Sequence, residues 1–222
     1  MAQNLNRYNG KLSLQQIVEG INIVMNNARN LYLDAVLLLE NGRFPRAASL
    51  AILSLEECGK ATILRMMALT DNQNEIDTLW KDFSRHHSKN VPAAFVNRLL
   101  AGDRSIVEIR SSLNNKPGEC HLIDQLKQMG FYVDCDANIH WLIPSEQVNE
   151  SIARHYVSMA GGMSNLPETT IEDIELLIKH LKPASGQDEE VKKRALVTWL
   201  QGQIPSNDFH FIESLFGCSL QE

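Results

Sequence analysis

Cysteine is scarce in this sequence, and its four residues are widely separated. They are Cys58, Cys120, Cys135 and Cys218. No Cys-x-x-Cys pair occurs, so the sequence offers neither the ligand spacing of a zinc module nor the framework of a disulfide-rich domain. We therefore expect reduced thiols, as in a cytosolic protein, and neither a bound metal nor another cofactor.

Long apolar runs are also missing. No run approaches the ~18 residues that cross a bilayer, and the polar residues 1–6 lack the apolar core of a signal peptide. We expect a cytoplasmic protein that does not bind a membrane. The sequence has no glycine-rich phosphate loop, nucleophile elbow or Walker pattern. The usual linear signals of nucleotide-dependent enzymes and of serine hydrolases are therefore absent.

Basic residues are fewer than acidic ones, 21 against 27, so the formal net charge is −6 at pH 7. Proteins that wrap long nucleic acid present an extended basic surface, so we expect at most a local basic contact. Of the 222 residues, 44% are hydrophobic and 22% are charged. This composition is ordinary for a globular protein and allows a sizeable core.

Apolar residues recur at helical spacing through most of the chain. A capping box formed by Ser13 and Gln16 predicts a first helix of roughly 28 residues, which ends at Asn41. A second helix follows to about residue 69. Because the link between them is short, the two helices should form an antiparallel hairpin.

Shorter elements are predicted over the rest of the chain. Helices are expected over residues 72–82, from residue 92 onward, and over residues 122–129, 144–161, 168–181, 188–200 and 206–216. Gly130 should stop the third of these, and the extended segments 131–133 and 139–142 predict a small β-hairpin. The fold class is therefore all-α, a bundle on a long helix hairpin. Residues 1–165 should form the main domain and residues 166–222 a C-terminal helical extension.

The second helix is apolar on most of its surface, yet it carries a wedge of three charges, Glu56, Glu57 and Lys60. A helix that is apolar nearly all round is buried, and buried charge is costly unless it is paired. Glu56 and Lys60 are four residues apart and can pair on the helix surface. The wedge is either such a structural pair or a site where a carboxylate acts as general base and Lys60 stabilises a phosphate.

A second group of polar residues follows in the segment 85–89. His86 and His87 lie between Arg85 and Lys89 and make a small basic cluster. Such histidines are most often structural or solvated, and the alternative is acid–base catalysis on RNA or contact to a phosphate. The sequence leaves open which histidine would act. A metal site assembled from Glu57 and His87 is a weaker alternative.

Polar residues also share one face of the first helix. Asn27, Asn30 and Asp34 are spaced at helical intervals, and a solvated outer face explains them most simply. If that face turns toward the second helix, Asp34 could meet Lys60 or Arg46 and contribute to a binding site.

Four stretches, in order, resemble the AbiV abortive-infection proteins, which are bacterial anti-phage proteins with an all-α HEPN-type core. They are residues 30–39, the signature helix at 47–61 with Glu-Glu-Cys-Gly-Lys-Ala, the aromatic, His and Lys cluster at 83–89, and Lys-Gln-Met-Gly-Phe-Tyr-Val-Asp at 127–134, followed by Trp141 and Pro144. The resemblance covers roughly residues 10–165. Residues 166–222 resemble no family.

The resemblance implies a HEPN-like helical bundle that forms a homodimer. It also implies a phage-triggered toxin that blocks translation in the infected bacterium, through RNA cleavage or binding. The expected partners are RNA or the ribosome and a phage-encoded activator protein.

One departure concerns the catalytic motif. HEPN ribonucleases typically carry an Arg, four to six residues, and then a His, whereas Arg85–His86 and Arg154–His155 are directly adjacent here. Either another set substitutes and the protein is a metal-independent ribonuclease, or it is a non-catalytic protein that binds a phage factor or the translation machinery. The candidate catalytic residues are Glu57, Lys60, His86 and His87, and the candidate binding residues are Glu56, Arg85, Lys89, Asp34 and Asn30.

Overall fold

The computed structural model describes residues 8–100 and 118–203. The elements are α1 (Leu14–Glu40), α2 (Phe44–Leu69), α3 (Gln73–Ser84), α4 (His86–Lys89), α5 (Val91–Leu100), α6 (Gly118–Phe131), β1 (Asp134–Cys135), β2 (Trp141–Leu142), α7 (Pro144–Gln147), α8 (Glu150–Ser164), α9 (Ile171–Leu181) and α10 (Glu189–Gln203). The strands pair antiparallel, with Asp134 opposite Leu142. The prediction of an all-α fold with a small β-hairpin is confirmed. Within these residues, no helix is both long and apolar enough to cross a membrane.

The hairpin of α1 and α2 forms where the sequence predicts it. The Ser13 hydroxyl accepts a hydrogen bond from the Gln16 amide, and the Gln16 side chain accepts one from the Ser13 amide. Gly42 adopts a φ of +68° in the turn, a conformation that glycine reaches at little cost. Farther along, the Ser54 hydroxyl donates a 2.7 Å hydrogen bond to the Ala28 carbonyl, which fixes the register of the two helices.

The buried core runs along the hairpin in two halves. One half joins α2 to α5, α6 and α8 through residues such as Ala51, Leu55, Ala94, Ile123 and Val157. The other half joins both hairpin helices to α3 and α9 through residues such as Ile21, Leu64, Leu79, Ile174 and Leu177. Helix α9 therefore packs on the hairpin as part of the same core. The division of the chain at residue 165 stays a prediction.

Helix α6 departs from the prediction that Gly130 stops it. The helix runs through Gly130 to Phe131, so the predicted stop is wrong. A Cβ atom on Gly130 would lie 2.4 Å from the Pro45 carbonyl oxygen and 2.1 Å from the Ser49 hydroxyl oxygen. The close approach of α6 to α2 requires glycine at this position. A close helix contact and a helix end both favour glycine, so the sequence does not distinguish them.

The predicted helix over residues 144–161 is divided in two. Helix α7 ends at Gln147, and Asn149 then caps α8 by accepting a 3.0 Å hydrogen bond from the Ile152 amide. Asparagine is favoured at such a position because its side-chain oxygen accepts a hydrogen bond from a first-turn amide that has no partner within the helix. The predicted helix over residues 206–216 lies outside the described residues.

Candidate functional site

The short helix α4 lies directly against α2 at Gly59. A Cβ atom added to Gly59 would lie 2.0 Å from the Lys89 carbonyl oxygen, closer than any real contact. Only glycine leaves room for the α4 backbone at this point. The glycine of the signature helix therefore allows the segment 85–89 to reach the charged wedge.

Glu56 points inward and joins three helices through an ion-pair network. Its Oε1 atom is 2.5 Å from Lys127 Nζ on α6, and its Oε2 atom is 3.7 Å from Lys89 Nζ on α4. Lys127 Nζ also lies 2.7 Å from Asp124 Oδ1. The expected pairing of Glu56 with Lys60 is wrong, because α6 and α4 supply closer cations on the buried side of α2.

Burial and pairing shift the two lysines in opposite directions. Burial lowers the pKa of Lys89, and the attraction of Glu56 offsets only part of this effect. Burial also acts to lower the pKa of Lys127, but its hydrogen bonds to Asp124 and Glu56 outweigh burial and the pKa is raised. Lys127 is therefore held as a cation, whereas Lys89 is the lysine that loses its proton more easily.

Lys60 instead pairs with Glu57. Its Nζ atom lies 2.6 Å from Glu57 Oε1, and both side chains are mostly buried. The same ammonium lies 5.4 Å from the centre of the Phe83 ring, a distance at which a cation is attracted to an aromatic face. The carboxylate and the ring together hold Lys60 in one position beside α3.

Lys60 and Lys89 line one cleft of about 830 Å³ with residues of α3 and of the segment before α1. The lining residues are Tyr8, Asn9, Lys60, Asp77, Trp80, Lys81, Phe83, Ser84, Arg85 and Lys89. Four of these side chains are cationic and one, Asp77, is a carboxylate. The cleft is therefore locally basic on a chain whose net charge is −6, and its chemistry suits a phosphate beside an aromatic group.

The two candidate histidines lie between cleft residues in the chain. The backbones of His86 and His87 form the first turn of α4, between Arg85 and Lys89, which both line the cleft. Their side chains are outside what the structure describes. Lys60, Arg85 and Lys89 therefore line the same cleft, and Glu57 pairs with Lys60. Both histidines belong to the single turn of α4 that ends at Lys89.

Asn30 and Asp34 lie elsewhere, on the exposed side of α1. Ser54 lies opposite Ala28, so Asp34 is level with about residue 48 of the antiparallel helix α2. Lys60 is twelve residues farther along, which corresponds to ~18 Å at the helical rise. Asp34 therefore does not meet Lys60, and any binding role of this face belongs to a separate surface.

The sequence analysis assigned no functional role to four residues of this region, Tyr8, Trp80, Lys81 and Lys127. Lys127 was part of the resembling stretch 127–134, but a lysine in a helix gives no sign that it turns inward. Trp80 lines the cleft with Tyr8 and Lys81. Trp80 and Lys81 on α3, with Arg85 directly after its last residue, were the available signal for a basic, aromatic face.

Metal ligands do not cluster in the part of the chain that the structure describes. Across residues 8–100 and 118–203, no group of three His, Cys, Asp or Glu side chains comes together in a way that could hold a metal ion.

Comparison with known proteins gives one match. The protein-family model HEPN_AbiV, described as AbiV, matches residues 16–165, which is more than half of the chain. The matched region includes both hairpin helices and the α4 segment, and it ends just beyond α8. No curated protein and no solved structure matches the chain.

Proposed function

This chain belongs to the AbiV family of HEPN-type abortive-infection proteins, and on that premise we propose that it is a phage-triggered toxin that blocks translation through RNA. Family membership indicates an anti-phage, abortive-infection role. We place the RNA-directed activity at the basic cleft and the site of action in the cytoplasm, where tRNA and ribosomes are found. A phage-encoded protein would act as the trigger.

The observation that carries this proposal is the convergence of cations on the cleft. Lys60 comes from α2, Arg85 follows α3 and Lys89 ends α4, and all three line one space. An RNA phosphate carries the complementary charge, and arginine and lysine are the usual phosphate contacts. Because the net charge of the chain is −6, the cleft should bind a short stretch of RNA, and the protein should not wrap a long one.

Cleavage without a metal needs two proton transfers. The ribose 2′-oxygen attacks the neighbouring phosphorus and gives its proton to a base, while the departing 5′-oxygen takes a proton from an acid. We assign both transfers to one histidine, His86 or His87, which would take the 2′-hydroxyl proton and then give it to the departing 5′-oxygen, because Glu57 is engaged by Lys60. Lys60 and Lys89 would stabilise the charge on the phosphate oxygens. The products would carry a 2′,3′-cyclic phosphate and a 5′-hydroxyl.

The β-hairpin favours a second candidate function, that of a non-catalytic interaction protein. Ile139 is 81% exposed and Trp141 is 67% exposed, and Tyr132 and Val133, which directly precede β1, are exposed as well. Ile139 also has a φ of +65°, which is strained for a β-branched residue. Strain and exposed apolar side chains together are typical of a contact surface, here for a phage factor or the translation machinery.

We also propose that the protein forms a homodimer. Helix α1 exposes three large apolar side chains, Ile23, Leu33 and Leu37, on a helix whose other face is buried in the hairpin. Such exposure on a long, regular helix suits a second copy of the same helix. Measurement of the molar mass in solution tests this, and a monomer at all concentrations would contradict it.

The test of the RNA-directed activity is RNA integrity in phage-infected cells that express the protein. The wild type is compared with His86→Ala, His87→Ala and Lys60→Met. His121→Ala, an exposed histidine on α6, and Lys179→Met, an exposed lysine on α9, are the matched controls. New 5′-hydroxyl RNA ends should form with the wild type and both controls, and should disappear with Lys60→Met and with one histidine variant.

Two other results would change the conclusion. Intact RNA with arrested translation would support the interaction protein, and Trp141→Ser should then relieve the arrest. Continued translation in infected cells that contain folded wild-type protein would contradict both candidate functions.

A further inference from the structure

Three aromatic rings form one wall of the basic cleft. Tyr8 and Trp80 have ring centroids 6.0 Å apart and lie nearly perpendicular, and Trp80 and Phe83 are 5.4 Å apart. The Trp80 Nε1–H donates a 2.9 Å hydrogen bond to the Gly10 carbonyl. The segment before α1 and helix α3 are thereby joined, and the wall is preorganised by contacts within the protein.

Tyr8 is the ring that packing explains least. Trp80 and Phe83 also pack against the buried core, so their presence has a structural reason. Tyr8 is 58% exposed and contributes nothing to that core. Its hydroxyl donates a 2.8 Å hydrogen bond to the Lys11 carbonyl, which holds the ring against Trp80 at the edge of the cleft.

The cations lie on the neighbouring walls of the same space. Lys60 contacts the Phe83 ring, and Lys81, Arg85 and Lys89 also line the cleft. Aromatic rings beside a basic groove are the arrangement by which proteins hold single-stranded nucleic acid, since every base has a face that stacks. A paired base in a duplex is already stacked on its neighbours and is not available to the rings.

We infer that this cleft binds an unpaired nucleotide of single-stranded RNA, with the base against Tyr8 and Trp80 and the phosphate against the lysines and Arg85. The inference rests on the proposed RNA-directed activity and adds its substrate class. A volume of about 830 Å³ lies within the ~300–1,000 Å³ of typical ligand sites. The stacking wall selects unpaired RNA, and the cations supply the affinity that is independent of sequence.

Binding of labelled RNA to the purified full chain tests the inference. The probes are a short single strand and the matching duplex, both 2′-O-methylated so that cleavage cannot remove them, and fluorescence anisotropy reports binding. Tyr8→Leu keeps an apolar side chain without an aromatic face, whereas Tyr8→Phe keeps the face and loses only the hydroxyl. Tyr132→Leu, which removes a similarly exposed tyrosine near the β-hairpin, is the matched control.

The single strand should bind the wild type more tightly than the duplex does. Tyr8→Leu should weaken single-strand binding by roughly 5- to 150-fold and leave duplex binding unchanged, while Tyr8→Phe and Tyr132→Leu should bind like the wild type. If Tyr8→Leu binds normally and Arg85→Gln weakens both probes equally, the stacking inference is overturned and the RNA-directed function stands. If the wild type binds neither probe, both are overturned.

Discussion

Lys127 of α6 places its ammonium 2.5 Å from the carboxylate of Glu56 on α2, and the two side chains are only 4% and 3% exposed. This contact ties the signature helix to a segment 71 residues away in the chain. The other carboxylate oxygen of Glu56 lies near the ammonium of Lys89, and Lys89 lines the cleft. A buried ion-pair network therefore supports one wall of the site.

Loss of Lys127 should destabilise the protein strongly. Lys127→Met removes the nearer of the two cations that the described residues place beside Glu56, and breaking a buried pair in this way costs about 3 kcal/mol. Urea unfolding measures the change. Lys11→Met removes a cation from an exposed pair with Asp71 and should cost far less, because solvent screens the charges of an exposed pair. Equal, small effects of the two substitutions would show that the buried network contributes little.

Addition of a single methyl group at Gly59 should displace α4. Gly59→Ala puts a Cβ atom against the Lys89 carbonyl, and such overpacking against backbone costs about 1–3 kcal/mol. Gly162→Ala, at an open position of α8, should instead stabilise by about 0.5–1 kcal/mol. Thermal unfolding compares the two variants, and a stable Gly59→Ala protein would contradict the close approach of α4.

Thiol reactivity should differ sharply between two cysteines. Burial raises the pKa of Cys58 to about 12, whereas Cys135 is exposed. At about pH 8.5, iodoacetamide should label the exposed Cys135 quickly and the buried Cys58 only after unfolding. Peptide mapping by mass spectrometry identifies the labelled sites. Fast labelling of Cys58 in the folded protein would contradict its burial.

The same shift predicts a loss of stability in alkali. The pKa of Cys58 is higher in the folded state than its value of 9.0 without burial. Its contribution to stability is therefore fully present below about pH 9, and it is lost as the pH rises through the folded pKa. Cys58→Ala should flatten this decline between about pH 9 and 12 when the free energy of unfolding is measured against pH.

Arg85 should set part of the salt dependence of RNA binding. Each phosphate contact on a single strand contributes about −0.7 to the slope of log K against log salt concentration. Arg85→Gln should therefore reduce the slope by about 0.7 and weaken binding of all sequences alike. Arg154→Gln removes a cation that pairs with Glu150 outside the cleft, and its slope should equal that of the wild type.

Local signals in the sequence were reliable where neighbours along the chain decide the structure. The capping box at Ser13, the turn at Gly42 and the ends of both hairpin helices depend on residues within one helical turn of each other. The same reasoning failed at Gly130, because a glycine that ends a helix and a glycine that admits a neighbouring helix look identical in sequence.

Residue spacing along the chain was enough to predict the all-α class, the long helix hairpin and the charged wedge at residues 56–60, since periodicity and capping are local properties of the chain. The tertiary structure alone decided which charges pair. Glu56 meets Lys127 instead of Lys60, and Tyr8 meets Trp80 beside four cations. These contacts join segments far apart in the chain. The packing of α4 and α6 against α2 brings Lys89 and Lys127 to Glu56, and the packing of α3 beside the segment before α1 brings Trp80 to Tyr8.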